Sequence, residues 1–167
     1  MKWPLQATQA RMESPLGTII LCATRSGLVG AWFHDQRHKP ESTWFSRWPH
    51  DDSQPVLQQA RQQLTDYFNG DRDTFELPLD LSPGSDFQRS VWAALQDIPP
   101  GHTLSYKDLA ERMGHPSAIR AAAAAIGRNP VSVVIPCHRV VGSNGALTGY
   151  AGGLGRKRAL LALESRH

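Results

Sequence analysis

Cysteine is scarce in this chain, which has only Cys22 and Cys137 among its 167 residues. Two cysteines cannot form a disulfide framework or a multi-cysteine zinc site. His34 and His38 have helical spacing, but the residues before them indicate a strand, and no carboxylate or cysteine completes a ligand set. We therefore expect neither a metal ion nor another cofactor.

Long apolar runs are also missing from the sequence. No window approaches the roughly 18 consecutive apolar residues of a membrane span. Residues 1–11 have neither the apolar segment of a secretory signal nor an Arg/Ser-rich transit pattern. The hydrophobic content of 40% and the charged content of 20% are typical of a globular protein. We therefore expect a folded cytoplasmic protein with no membrane partner.

Acidic residues are scarce after residue 100. Residues 101–167 carry nine Lys/Arg against three Asp/Glu, a net charge of +6, whereas residues 1–100 carry nine against twelve, a net charge of −3. A basic half of this kind is suited to a polyanion such as a nucleic acid. On charge alone, a solvated basic surface is an equally good interpretation.

The first half of the chain has the patterns of a small sheet. β-Branched and aliphatic residues at 18–22 and 28–33 predict a hairpin around Arg25-Ser26-Gly27. Residues 34–54 are polar and predict an irregular segment.

A helix and a further strand are predicted after this segment. Pro55 can open a helix, whose apolar positions repeat at helical spacing until Asn69-Gly70. Alternating apolar residues at 75–81 predict a strand, and Ser82-Pro83-Gly84 breaks that pattern. We therefore expect an α/β N-terminal domain, a small sheet plus a helix, at residues 1–81 and a second domain at residues 82–167.

The second domain has mainly helical patterns. Ser85 and Gln88 form a capping box ahead of one helix. Ser105 can cap a short helix that closes at Gly114, and another helix begins near Ser117 and continues to Ile126. We expect a mostly helical, winged helix-turn-helix-like domain, although two such helices are also a common way to pack.

The second of these helices consists mainly of residues with very short side chains. Ala121–Ala125 follow Arg120, the only long polar side chain between Ile119 and Ile126. Alanine favours helices by itself, and surface arginines are common. The same pattern also suits a helix that packs closely against the DNA backbone and inserts one arginine into the DNA.

Cys137 follows a short apolar segment, Val131–Ile135, which predicts a buried strand. A cysteine in such a place is usually a small core residue. Here His138 and Arg139 follow it, and a base or a positive charge favours the nucleophilic thiolate. The glycine-rich residues 142–153 lead to a final helix at 154–164.

The complete set of motifs resembles the O6-alkylguanine-DNA alkyltransferases, also called methylated-DNA–protein-cysteine methyltransferases. The resemblance is strong from Phe87 to Glu164 and weak in residues 1–80, where Ser14-Pro15-Leu16-Gly17 matches the family's opening strand. The matching motifs are Arg120, Asn129-Pro130, Pro136-Cys137-His138-Arg139-Val140, Tyr150-Ala151-Gly152-Gly153 and Glu164.

The resemblance implies a chemical role for each of five residues. Cys137 would accept the alkyl group once, and His138 would deprotonate it through a water while Glu164 holds the imidazole tautomer. Tyr106 would donate a proton toward the departing guanine. Asn129 would brace the turn between the DNA-binding helix and the active-site strand.

The resemblance also implies how DNA is bound. The partner would be double-stranded DNA containing O6-alkylguanine, with O4-alkylthymine as a further possible substrate, and the protein would act as a monomer. The second helix would enter the minor groove while Arg120 fills the gap left by the flipped base. The expected DNA contacts are Ser117, Arg120, Ala121, Ala122, Arg128 and Arg139, and the expected base pocket comprises Val140, Tyr150, Ala151 and Gly152.

Two other classes of function fit parts of the sequence. A thiol hydrolase that uses Cys137 and His138 would need neither Arg120 nor the basic half. A non-catalytic DNA-binding protein, such as a helix-turn-helix regulator or an alkyltransferase-like protein, would not need Cys137. A zinc-dependent alkylation sensor would need about four ligands, which two cysteines do not supply.

Overall fold

The structure, a computed structural model, describes residues 1–165, so the last two residues of the expected second domain lie outside it. Its first half contains a three-stranded antiparallel sheet of β1 (Thr8–Ser14), β2 (Gly17–Ala23) and β3 (Leu28–Phe33) in that order. The expected β2–β3 hairpin is present. The polar residues of β1 did not by themselves predict a strand, but Ala10 and Met12 alternate toward the core.

Helices cover both faces of this sheet. Helix α2 (Pro55–Phe68) begins at the predicted proline, and the side chain of Gln54 accepts a hydrogen bond from the backbone of Leu57. Its buried face packs on one side of the sheet. The short helix α1 (Ser42–Arg47) lies in the segment that was predicted to be irregular, and its aromatic residues pack with Trp32 on the other side.

The predicted strand at residues 75–81 does not form. Only Leu79 bridges to the sheet, beside Leu28. Leu28 donates a backbone hydrogen bond to Pro78, and Asp80 donates one to Leu28. Pro78 has no N–H, so it cannot continue a ladder of paired strands.

The second half is mostly helical, as expected. The predicted capping box of Ser85 and Gln88 opens α3 (Asp86–Gln96), and Ser105 caps α4 (Tyr106–Arg112). Helix α5 (Ile119–Gly127) begins two residues after Ser117, because residues 116–117 form a turn in which Ala118 donates to His115.

Two further elements complete the second half. The last helix, α6 (Leu154–Glu164), has the predicted bounds. Strands β4 (Leu104–Ser105) and β5 (Val140–Val141) form a short parallel pair beside α4. No helix within residues 1–165 is long and apolar enough to cross a membrane.

The two halves share one hydrophobic core, which includes residues from β1–β3, α2, α3, α5 and α6. The segment 131–135 joins this core but is not a regular strand, in contrast to the prediction. Val131 and Ser132 flank Ala31 of β3, whose backbone bonds to Pro130 and Ser132. Val133 then adopts a φ of 73°, which turns the chain back. The segment that leads to Cys137 is therefore anchored on the N-terminal sheet.

Candidate active site and nucleic-acid interface

Cys137 begins a single 3₁₀ turn, Cys137–Arg139, immediately after the anchored segment. Asn129 fixes the approach to this turn. Its amide nitrogen donates to the Ile135 carbonyl at 2.8 Å, and its side-chain oxygen accepts from the Val131 backbone at 3.0 Å. Both bonds are buried, and they connect the residues on either side of the turn at Val133.

Cys137 lies in the wall of an open pocket with a volume of about 470 Å³. One wall comes from α5, and the others come from Tyr106, from residues 148–151 and from a segment that follows β3. The lining residues are Arg37, His38, Tyr106, Ile119, Arg120, Ala123, Ile126, Gly127, Cys137, Thr148, Gly149, Tyr150 and Ala151. The cysteine is 6% exposed, so a group that enters the pocket can contact it.

Burial raises the pKa of the Cys137 thiol to about 11, although a hydrogen bond with the Asn129 side chain and the charge of Lys157 act in the opposite direction. The thiol is therefore protonated near neutral pH. Because the thiolate is the nucleophilic form, a neighbouring base has to take the proton before the sulfur can attack.

His138 is a buried base held by a buried acid. Its Nε2 atom lies 2.8 Å from Oε2 of Glu164. Burial lowers the pKa of His138 against the opposing effect of Glu164, which favours a neutral imidazole. In that form Nε2 carries the proton and donates a hydrogen bond to the carboxylate, so the free lone pair is on Nδ1. This Nδ1 atom is buried and has no hydrogen-bond partner within residues 1–165.

Glu164 remains ionised although it is buried. Burial alone would raise its pKa, but hydrogen bonds from Arg139, His138 and Tyr67 outweigh this effect and lower the pKa to about 2. Arg139 donates from two nitrogens at 2.8 Å, and the Tyr67 hydroxyl donates at 2.7 Å. The carboxylate therefore joins α2, the 3₁₀ turn and α6 at one point.

Lys157 supports the far wall of the pocket. It is fully buried, and its Nζ atom donates to the carbonyls of Thr148 at 3.1 Å and Gly149 at 3.4 Å. These bonds hold the loop that carries Tyr150 into the pocket. The lysine charge also favours the thiolate of Cys137.

Two tyrosines contribute to the pocket in different ways. Tyr106 is half-buried, and its hydroxyl oxygen accepts a hydrogen bond from Thr148 at 3.1 Å, which leaves its own proton available to a ligand. The hydroxyl of Tyr150 is buried and has no partner within the described chain, 1–165. Both residues line the pocket that contains Cys137.

The structure corrects two of the expected DNA contacts. Arg139 is only 5% exposed and is bonded to Glu164 and to the Ile98 carbonyl, so its guanidinium is not available to DNA. Ala122 is 1% exposed because it faces the core from α5. The other expected contacts are exposed, namely Ser117, Arg120, Ala121 and Arg128.

The expected base pocket is also partly different. Tyr150 and Ala151 line the pocket, whereas Val140 is fully buried in β5 and Gly152 lies behind Tyr150. A Cβ atom on Gly152 would lie 2.8 Å from the Tyr150 ring, so glycine permits the close approach that places this ring.

Four residues of the site were missed by sequence reasoning: Arg37, His38, Tyr67 and Lys157. Tyr67 and Lys157 lie in helices that were predicted, but neither residue was assigned to the site. The partners of Tyr67 and Arg37 lie far away in the chain, and the Lys157 bonds depend on the path of the glycine-rich loop, so neighbouring residues gave no signal of these roles. The residues described, 1–165, bring no three His, Cys, Asp or Glu side chains together as a metal site.

Comparisons with known proteins match most of the chain to one family. The DNA-binding domain of 6-O-methylguanine DNA methyltransferase matches residues 86–166, and the ribonuclease-like domain of the same family matches residues 9–81. A methylated-DNA–protein-cysteine methyltransferase of Mycolicibacterium paratuberculosis is 46% identical over 156 residues, which cover 93% of this chain and 91% of the relative. The protein of that name from Methanosarcina barkeri is 42% identical over 93% of this chain and 96% of its own length.

Solved structures agree with this match. The crystal structure of Mycobacterium tuberculosis OGT in complex with DNA has a TM-score of 0.84 and 40% sequence identity to this chain. The similarity covers 96% of this chain and 93% of that chain.

The ionised state of Glu164 gives a prediction about acid stability. The pKa of Glu164 in the folded protein is about 2, below the ordinary value of 4.5. The ionised carboxylate therefore contributes its full stabilisation above about pH 4.5, and this contribution is lost as the pH falls toward 2. Glu164→Gln should therefore be strongly destabilising at about pH 6, and the difference from the wild type should shrink by about 2 kcal/mol by about pH 3. Urea unfolding measures both free energies.

The exposed Glu111→Gln is the matched control, and its difference from the wild type should stay small throughout. A Glu164→Gln difference that does not change between these pH values would contradict an ionised, hydrogen-bonded Glu164.

Proposed function

This chain belongs to the 6-O-methylguanine DNA methyltransferase family, and from that premise we propose that it repairs O6-alkylguanine in double-stranded DNA by transferring the alkyl group to its own Cys137. The observation that carries the proposal is the position of Cys137 in an open pocket, beside a neutral histidine that an ionised glutamate holds. This arrangement supplies both a nucleophile and the base that it needs.

The reaction begins with the Cys137 proton, which passes through a water to Nδ1 of His138. Glu164 stabilises the resulting imidazolium through Nε2, as in other nucleophile–histidine–carboxylate sites. The thiolate then attacks the alkyl carbon, so an S–C bond forms as the bond from that carbon to O6 breaks. Tyr106 donates its hydroxyl proton toward the guanine, which therefore leaves as a neutral base.

The exposed face of α5 is suited to DNA. Ser117, just before the helix, and Ala121 and Ala124 on it are exposed and have only short side chains, and the longer Arg120 and Arg128 are exposed as well. A backbone can therefore approach this face closely. We place α4 and α5 in the role of a winged helix-turn-helix, with α5 in the minor groove. Arg120 also lines the pocket, where its planar side chain can occupy the space of the extruded base.

We further propose that the protein acts as a monomer built from domains at residues 1–81 and 82–167. The shared hydrophobic core supports a fixed arrangement of these two domains. Every group in the proposed reaction comes from the same chain, so the site needs no second copy.

Transfer to Cys137 predicts that the protein is consumed. The product is a thioether, and its thiolate is a very poor leaving group, so water does not displace it and the thiol is not regenerated. Incubation with excess duplex containing O6-methylguanine should add at most one methyl group per chain, measured by intact mass and by the mass of the Cys137 peptide.

The two cysteines provide matched variants. Cys137→Ala should abolish transfer but retain DNA binding, whereas Cys22→Ala should retain transfer, because Cys22 is fully buried outside the pocket. Repeated turnover by unmodified protein would disprove the proposal and would favour a thiol hydrolase.

The proposed role of Arg120 predicts a difference between substrates. Arg120→Ala should slow transfer from duplex DNA at least about tenfold, since flipping costs a few kcal/mol. Arg120→Lys should slow it less, because lysine retains the charge but cannot stack. Free O6-alkylguanine base needs no flipping, so the rate of transfer from it should fall much less in both variants. Single-turnover rates measure all of these effects.

Arg158→Ala removes an exposed arginine of α6 that does not line the pocket, and it should change neither rate. Equal losses on duplex and free base in Arg120→Ala would show that Arg120 only shapes the pocket. An unchanged duplex rate would make it an ordinary surface residue.

A further inference from the structure

The segment after β3 brings two basic residues to the pocket from the N-terminal half. Arg37 and His38 line the same space as Cys137, on a wall that α5 does not provide. The backbone N–H of Arg37 donates to the Ala151 carbonyl at 2.9 Å, which ties this segment to the pocket loop. His38 has a φ of 60°, an uncommon conformation for a residue other than glycine. The hydrogen bond to Ala151 therefore fixes the position of this segment beside the pocket.

Among the described residues, the lining of the pocket includes Arg37, His38 and Arg120 and no carboxylate. Within residues 1–165 the side chains of Arg37, Arg120 and Arg128 form no ion pair, and the nearest acid in the chain, Asp35, is bonded to Arg156. Partial burial lowers the pKa of His38, and the charges of Arg128 and Arg37 add to this effect. Arg128 directly follows Gly127, which lines the same pocket. A cluster of like charges is unfavourable unless an anion joins it.

A flipped nucleotide would bring such an anion to this place. If the damaged base occupies the pocket, its sugar and its two phosphates must remain at the mouth because the strand is continuous. Residues of α5 line the pocket, and the exposed Arg37 and His38 line it from a different segment of the chain. A guanidinium matches a phosphate in both charge and geometry.

We infer that Arg37, supported by Arg128 and His38, binds a phosphodiester group beside the flipped nucleotide. The N-terminal half then takes part in DNA binding, although it carries a net negative charge overall. The inference rests on the proposed function, since it requires a flipped base in the pocket.

The structure separates this role from a role in folding. The Arg37 side chain is exposed and makes no hydrogen bond with the residues described, 1–165; only its backbone groups are bonded. Truncation of the side chain should therefore leave the fold unchanged. Arg25 provides a matched control, because it is an exposed arginine of the same half at the β2–β3 turn and does not line this pocket.

The test measures affinity for a duplex containing O6-methylguanine over a range of salt concentrations. All proteins carry Cys137→Ser, so that no transfer occurs during binding. Arg37→Gln should weaken binding on the order of tenfold, and the slope of log affinity against log salt should become smaller by about 0.9, the value for one lost phosphate contact. Arg25→Gln should change neither quantity.

A second duplex, with neutral methylphosphonates on both sides of the lesion, identifies the contact. The protein that retains Arg37 should bind this neutral duplex less tightly than the ordinary one. On the neutral duplex the affinities of this protein and of Arg37→Gln should be equal. An unchanged salt slope, or a difference that persists on the neutral duplex, would overturn the inference.

The wild-type protein with Cys137 intact is tested beside these variants for methylation by the ordinary duplex. If it accepts no methyl group, the proposed function fails. If it is methylated but Arg37→Gln keeps the full salt slope, only the role of Arg37 fails.

Discussion

The buried carboxylate of Glu164 is the group on which the geometry of the active site depends. An ionised carboxylate is tolerated in a protein interior only when donors surround it. Here Tyr67, His138 and Arg139 supply those donors from α2 and from the turn that begins at Cys137. The need to satisfy one charge therefore brings three distant parts of the chain together. Within residues 1–165 it also leaves Nδ1 of His138 without a hydrogen-bond partner, as the proposed proton transfer requires.

Burial and charge have different effects on the titratable groups of the same site. Burial raises the pKa of the Cys137 thiol and lowers that of the His138 imidazole, which is consistent with the proposed role of the histidine as acceptor of the thiol proton. Lys157 opposes part of the burial effect and at the same time holds the pocket loop. Since the segment before Cys137 is anchored on β3, the N-terminal half is part of the site's framework.

Local signals predicted much of the fold but little of the side-chain direction. The α6 bounds, the Ser105 cap and the Ser85–Gln88 capping box followed from neighbouring residues and were correct. The resemblance indicated Cys137, His138 and Glu164, which the structure brings together. Arg139 was misplaced, because its direction depends on Glu164, a partner 25 residues away. Sequence reasoning also missed α1, whose aromatic residues gain their burial only against the outer face of the sheet.

The most direct test of this account is the tautomer of His138 in the free protein. Nitrogen-15 chemical shifts of labelled histidines, with His138→Gln used for assignment, report the protonation of each ring nitrogen. We predict a neutral ring at about pH 7.5 with the proton on Nε2 and none on Nδ1, because Glu164 accepts from Nε2. An imidazolium at this pH, or a proton on Nδ1, would contradict the account, since neither form can accept the proton of Cys137 through Nδ1.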